Sequence, residues 1–219
     1  RELLSTALPL IISTATWSVM QFTDRMFLTW YSPEAVAASM PAGILNFTFA
    51  SLFIGTASYV GTFVAQYYGA KQHRRIGAAL WQGIYLAITG SVIVAFAGLF
   101  STEIFRAVGH EPGVQKLEAA YFSILCFGSA GPIISSVFSG FFSGMGRNLP
   151  VMWINILATG VNVALAYLFI FGKLIFPEMG IEGAAIATVI SGFIPVIIFG
   201  CMIFFRKENR TYGVFAAHF

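Results

Sequence analysis

Charged side chains are scarce in this sequence. Lys, Arg, Asp and Glu make up 10% of its 219 residues, whereas soluble domains carry about 25%. Hydrophobic residues reach 58% and the mean hydropathy is +0.81. So few charges cannot cover a water-facing surface, which excludes a soluble domain. The sequence also lacks the clustered basic residues of a nucleic-acid-binding surface, so we expect no nucleic acid partner.

Cysteine and metal-ligand patterns are scarce as well. Cys126 and Cys201 lie far apart, each inside an apolar run, which gives no disulfide framework. The three histidines, His73, His110 and His218, are not paired at metal-ligand spacing. An intramembrane enzyme would need several nucleophilic or acid–base residues at depth. We therefore expect no metal, no cofactor and no catalytic residues, and a protein that is not an enzyme.

Long charge-free runs organise the chain. Six of them are between 21 and 36 residues long, and a membrane-spanning helix needs about 20 apolar residues. They are Leu3–Thr23, Ala35–Ala70, Ile76–Thr102, Ala119–Gly146, Asn148–Gly172 and Gly183–Phe205. The runs predict an all-α integral membrane protein with six transmembrane helices, at about residues 3–31, 33–69, 76–102, 112–146, 149–172 and 181–205. Residues 1–205 form one unit, followed by a tail or linker at 206–219.

Local signals refine these boundaries. Ser32-Pro33 is typical of an N-cap followed by Pro at the first helical position, and Glu111-Pro112 is a second candidate. Gly140 and Gly144 are spaced for close packing of two helix backbones. Four prolines lie inside the runs, where each frees a backbone carbonyl and is expected to kink its helix: Pro9, Pro41, Pro132 and Pro195.

The distribution of Lys and Arg predicts the orientation. Six helices put both termini on one side of the membrane, and that side holds eight of the twelve basic residues. They are Arg1, Lys71, Arg74, Arg75, Arg147, Arg206, Lys207 and Arg210. We therefore expect a multi-pass protein of the cell membrane with both ends cytoplasmic, whose basic loops contact membrane lipid.

Asp24 is the sharpest candidate for function. It follows 21 charge-free residues and is the only acid that we expect at membrane depth. An ionisable group there usually faces a cavity or a partner. It could exchange a proton, ligate Na⁺ or attract a cationic substrate; alternatively, it lies at headgroup level and pairs with Arg25 or lipid. Gln21, one turn earlier on the same face, and Gln66 are candidates to line the same cavity.

Two asparagines on the fifth helix have a similar ambiguity. Asn155 and Asn162 are seven residues apart and so share nearly one face. A buried amide needs a partner, so each either hydrogen-bonds a neighbouring helix or lines the cavity of Asp24. Thr188 on the sixth helix has the same two interpretations.

Eight short segments or residues, spread over nearly the whole chain, occur in an order and at a spacing that are typical of a known family. They are Leu8–Leu10, the region of Asp24, Pro33–Ala38, Gln66–Ala70, Gly144–Arg147, Asn162, Ile170–Gly172 and Gly180–Thr188. Together they resemble the multidrug and toxic compound extrusion (MATE) family, most closely at Gly180–Thr188.

The resemblance implies a fold and a function. Family members have twelve helices in two six-helix lobes, and they export cationic amphipathic compounds in exchange for H⁺ or Na⁺. This chain matches the first lobe, so the C-terminal six-helix lobe is expected to be missing. The matching aspartate, Asp24, is implied to be a coupling residue with Asn162 near it, and Thr188 is a weaker match. The sequence departs from the family at Ala166, where many members have a second polar or acidic residue, and at Arg25.

Two other functions stay open. A lipid-linked oligosaccharide flippase of the same superfamily would need a more cationic site for a pyrophosphate, and no buried Arg cluster is evident. A non-transporting membrane subunit would need no polar residue at depth.

Overall fold

A computed structural model describes residues 2–205 and 211–215 of the chain. In these two ranges the chain forms helices and no strands. The elements are α1 (Glu2–Tyr31), α2 (Pro33–Ser58), α3 (Val60–Gly69), α4 (His73–Gly98), α5 (Ser101–Val108), α6 (Pro112–Phe127), α7 (Ala130–Gly144), α8 (Asn148–Ile170) and α9 (Gly180–Phe205).

The helices run up and down between two ends of one bundle. We call them the Ser32 end, with the α1–α2, α5–α6 and α8–α9 connections, and the Arg147 end, with the α3–α4 and α7–α8 connections. Five segments of the described chain are long and apolar enough to cross a membrane. They are Pro33–Gly69, His73–Gly98, Pro112–Gly144, Asn148–Ile170 and Gly180–Phe205.

The sixth long segment is α1, which has 30 residues and packs mainly along α8. It is not one of the five apolar segments, and between Leu8 and Tyr31 it carries nine Ser, Thr, Gln, Asp or Arg residues. This more polar helix completes the six passes that the sequence predicts, and it brings Asp24 into the bundle.

Pro132 divides the predicted helix at 112–146 into α6 and α7. Proline has no N–H to donate to the carbonyl four residues earlier, which here belongs to Gly128. The N–H of Gly131 bonds the Gly128 carbonyl instead, at 3.1 Å, in a tighter turn. The helices stay continuous through the other three prolines of the runs.

The predicted helix at 33–69 is also divided, at Tyr59, where no proline occurs. Beyond this break α3 lies against α7 with the two backbones in contact. A Cβ on Gly61 would lie 3.2 Å from the Gly140 carbonyl oxygen, and one on Gly144 would lie 2.5 Å from that of Gly61. The packing role predicted for Gly140 and Gly144 is confirmed.

The predicted helix at 76–102 is shorter at its far end and is followed by a separate element. α4 stops at Gly98, and the short α5 begins at Ser101. Phe105 is buried whereas Glu103 and Arg106 are exposed, so α5 is amphipathic. The predicted N-cap is confirmed at Ser32, whose Oγ accepts from the backbone N of Glu34 at 3.2 Å.

The described part of the tail, residues 211–215, folds back on the Arg147 end. The Trp81 indole donates to the Val214 carbonyl at 2.8 Å. A Cβ on Gly77 would come within 2.4 Å of the Gly213 carbonyl, so this turn lies directly on α4. The remaining tail residues, with three of the basic residues used to predict orientation, lie outside the described ranges.

Candidate functional site

Asp24 lies close to the Ser32 end of α1, and only 5% of it is exposed. It is buried because α1 packs along α8 and also contacts α2 and α9. Its Oδ2 accepts a hydrogen bond from Thr188 Oγ1 of α9, at 3.3 Å. Arg25 points to the surface and lies more than 4 Å from any carboxylate of the described residues. The alternative of an Asp24–Arg25 ion pair is therefore not realised here.

Thr188 joins Asp24 to Asn162 on α8. The Asn162 amide Nδ2 donates to Thr188 Oγ1 at 3.4 Å, and Thr188 Oγ1 also lies 3.0 Å from the Ala184 carbonyl of its own helix. A hydroxyl has one proton, so Thr188 can donate either to Asp24 or to Ala184 at any moment. Three helices thus meet in one polar cluster.

Two oxygen atoms of this cluster have no donor. Asp24 Oδ1 and Asn162 Oδ1 are both buried, and neither has a hydrogen-bond partner among the described residues. Unpaired buried acceptors are costly unless a proton or a cation satisfies them. Carboxylate, amide and hydroxyl oxygens are hard ligands of the kind that hard cations prefer. The described residues hold no cluster of three or more His, Cys, Asp or Glu side chains for a transition metal.

The other candidates lie at different distances from Asp24. Gln21 is half-buried one turn earlier on α1. The Asn155 amide bonds the Ser13 hydroxyl, which makes it an interhelical contact between α1 and α8. Gln66 lies near the Arg147 end, whereas Asp24 lies near the Ser32 end, so Gln66 does not line a shared site with Asp24. Ala166, where many members of the resembled family have a second polar or acidic residue, is fully buried and brings no polar group to the cluster.

Gln66 instead lines a groove of about 630 Å³ between α3 and α7. Its walls are mostly small or hydroxyl-bearing, and the groove contains no charged residue. The lining residues are Ser58, Gly61, Thr62, Ala65, Gln66, Ser136, Ser139, Gly140, Ser143 and Gly144. The two divided passes therefore form a polar surface separate from the Asp24 cluster.

A second buried carboxylate was not predicted from the sequence. Glu118 on α6 is fully buried, and its Oε1 lies 2.8 Å from Nδ1 of His110. Its Oε2 has no partner among the residues described. The signal was its spacing: Glu118, Tyr121 and Phe122 are three and four residues apart, which puts them on one face of α6, and all three are buried.

The comparisons with known proteins agree with this architecture. A model of the MatE family matches residues 9–168, from α1 to the last turn of α8. The chain is 29% identical over 209 residues to the "Probable multidrug resistance protein NorM" of Thermotoga maritima, covering 95% of this chain and 45% of that protein. It is 31% identical over 189 residues to the protein of the same name in Bradyrhizobium diazoefficiens, covering 86% and 41%.

Solved structures give the same picture for the fold. The outward-facing conformation of a multidrug resistance MATE family transporter superposes with a TM-score of 0.84 at 20% identity, covering 96% of this chain and 46% of that one. A MATE crystal structure in the straight conformation gives a TM-score of 0.85 over the same shares. The chain spans about half the length of these relatives. Because the family model covers well over half of its residues, including Asp24 and Asn162, the chain belongs to the MatE family of multi-pass membrane transporters.

Proposed function

We propose that the full-length protein is a secondary antiporter of the cell membrane that exports cationic amphipathic compounds in exchange for H⁺ or Na⁺. The observation that carries this proposal is the pair of buried oxygens, Asp24 Oδ1 and Asn162 Oδ1, that lack a donor. A carboxylate at this position needs a proton or a cation, and no Lys, Arg or His of the described chain lies within 4 Å to supply the charge. The coupling ion supplies it.

Thr188 gives the bound ion a way to change contacts between helices. When Asp24 is charged, the Thr188 hydroxyl donates to Oδ2 across 3.3 Å and links α9 to α1. When a proton or Na⁺ occupies the carboxylate, the hydroxyl turns to the Ala184 carbonyl at 3.0 Å, within α9. Ion occupancy thus alters the bond between α1 and α9 and biases one packing of the bundle over another.

Aromatic side chains next to this cluster suit a cationic, amphipathic cargo. Phe27, one turn after Asp24, lies 5.7 Å from Tyr167 and 6.2 Å from Phe171, measured between ring centroids. Aromatic faces attract cations and bury apolar groups. A cargo that has a positive charge and aromatic rings would compete with the coupling ion for the negative charge of the Asp24 carboxylate.

The rest of the proposal concerns the whole protein. The relatives are about twice the length of this chain, so we propose a C-terminal six-helix lobe as its partner. Alternating access then rocks the two bundles around the Asp24 cluster. Both ends of the present chain face the cytoplasm in this arrangement, and the basic loops contact lipid headgroups.

The test is ethidium efflux from vesicles that contain the full-length protein, driven by an imposed H⁺ gradient and then by a Na⁺ gradient. Wild type is compared with Asp24→Asn and with the matched control Glu103→Gln, an exposed acid on α5. We expect one gradient to drive efflux, Asp24→Asn to abolish it and Glu103→Gln to retain it. Undiminished coupled efflux by Asp24→Asn would overturn the assignment of Asp24. If wild type moves no ethidium but moves a lipid-linked oligosaccharide, the flippase alternative replaces the antiporter.

A further inference from the structure

We propose that His110 and Glu118 form a proton-binding site, separate from Asp24, which holds the loop between α5 and α6 more tightly while the pair carries a proton. The site lies at the Ser32 end, where residues 109–111 connect the two helices. Coupling at Asp24 does not depend on it, so the two proposals stand or fall separately.

The carboxyl group of Glu118 is enclosed by the bundle. Glu118 and Phe122 are both fully buried, one turn apart on the same face of α6. Phe105 of α5 covers this face, with its ring 5.6 Å from that of Phe122 between centroids. Glu118 Oε2 is buried without a partner, so the carboxyl group depends on its other oxygen for all of its stabilisation.

His110 is the one charge partner that Glu118 has in the described ranges. The contact of Nδ1 with Oε1 is 2.8 Å, and 44% of the His110 side chain is exposed to solvent. The elements packed on α6 are α2, α4, α5 and α9. No other basic side chain on these elements, on α6 or in the loop lies within 4 Å of the Glu118 carboxylate. The other titratable or charged side chains that they carry are Glu34, His73, Arg74, Arg75, Tyr85, Glu103, Arg106, Glu111, Lys116, Tyr121, Cys126, Glu182 and Cys201.

The charge of the pair depends on a single proton. With that proton, the pair is either carboxylate and imidazolium or carboxylic acid and imidazole, and its net charge is zero. Without it, a buried carboxylate faces only a neutral ring, which leaves an uncompensated charge in an apolar setting. Histidine is the side chain that normally changes charge between about pH 5 and 8, and the exposed edge of His110 gives the proton a path to solvent.

The loop responds because His110 is its anchor. The Gln115 side chain donates to the His110 carbonyl, and the His110 ring reaches Glu118, so one residue ties the loop to α6 at two points. Gly109, which ends α5 with φ of 83°, lies immediately before this anchor. Loss of the proton removes the attraction between imidazolium and carboxylate, and only a hydrogen bond from a neutral ring and the Gln115 bond then hold the loop.

The experiment is hydrogen–deuterium exchange of residues 109–115 in the full-length protein in lipid nanodiscs, from about pH 5.5 to 8.5, corrected for intrinsic exchange rates. We expect protection in wild type to fall by about tenfold as the pH rises, because the contact weakens when the imidazolium loses its charge. In Glu118→Gln, which keeps a neutral hydrogen bond to the ring, protection should not vary with pH. His110→Gln, a change at a half-exposed side chain, should remove the pH dependence in the same way.

Two results would overturn the proposal. One is wild-type protection that stays constant with pH, which would make the contact a fixed structural hydrogen bond. The other is a pH dependence that persists in both variants, which would assign it to another group. Neither result bears on whether Asp24→Asn abolishes efflux.

Discussion

Asp24 and Glu118 are two buried carboxylates with opposite kinds of partner. Asp24 faces the neutral hydroxyl of Thr188, which in turn contacts the amide of Asn162. Glu118 faces the ring of His110, which can carry a positive charge. The Glu118 site has a side chain that can hold a proton as a cation, whereas the Asp24 site has no basic side chain of the described residues within 4 Å and depends on a bound proton or metal cation. This difference is why we propose ion coupling at Asp24 and not at Glu118.

The two sites also differ in how many elements they join. The Asp24 cluster connects α1, α8 and α9, so a change in its occupancy reaches three helices of the bundle. The Glu118 contact stays within one connection, between the loop after α5 and the beginning of α6. We therefore expect a change at Asp24 to affect the packing of the whole bundle, and a change at Glu118 to affect one loop only.

After the loss of efflux expected for Asp24→Asn, the largest effect should come from removing the Thr188 hydroxyl, through which we propose that ion occupancy alters the contact between α1 and α9. Thr188→Val keeps the shape of the side chain but leaves Asp24 Oδ2 without its donor. A hydrogen bond to a charged group is worth about 1.5–3 kcal/mol, so we expect coupled efflux to fall by about tenfold to a hundredfold. Vesicle efflux of ethidium under the effective gradient measures this, with Thr188→Ser as the matched control. Equal efflux by the Val and Ser variants would contradict the role of the hydroxyl.

A smaller effect, on stability, should separate the two partners of the second site. His110→Ala leaves Glu118 buried with neither oxygen paired, and we expect a loss of about 1–2 kcal/mol, less than for a fully buried pair because the ring is 44% exposed. Glu118→Leu removes the charge itself next to Phe105 and Phe122, and should be neutral or stabilising. Thermal unfolding of the full-length protein in detergent measures both. Similar losses in the two variants would mean that packing, not charge, dominates this position.

The six long helical segments could be predicted because each coincides with a long charge-free run, which a sequence displays directly, and five of them are apolar enough to cross a membrane. The break at Pro132 could be anticipated too, since proline lacks the N–H that a helix needs. The break at Tyr59 could not, because it accompanies the contact of Gly61 with Gly140, almost eighty residues further along the chain. The element α5 was not predicted because its apolar face is buried by packing against α6, a contact that the sequence does not show.

The candidate site divides in the same way. Asp24 stands out because one acid follows a long charge-free run. The nearness of Asn162 rested on the family resemblance, and the structure brings both close to Thr188 through contacts between distant helices. Glu118 was not predicted to be buried, since a sequence shows its position near a helix start but not the cover that Phe105 provides. Long-range packing, which no local pattern encodes, accounts for what was missed.

The smallest effect is expected for Asn155→Leu. Compared with Asn162→Leu, it tests whether coupled efflux depends on where a buried amide lies on α8. Asn155 and Asn162 are seven residues apart on one helix, but Asn155 donates to Ser13 and Asn162 donates to Thr188. Asn155→Leu should cost about 0.6 kcal/mol, as interhelical hydrogen bonds in membranes do on average, and leave coupled efflux within about twofold of wild type. Asn162→Leu makes the same chemical change beside Asp24 and should lower coupled efflux by about tenfold. Thermal unfolding and vesicle efflux are measured on both variants. If both lose efflux equally, coupling depends on the whole contact between α1 and α8. If only Asn162→Leu loses efflux, coupling is confined to the cluster around Asp24.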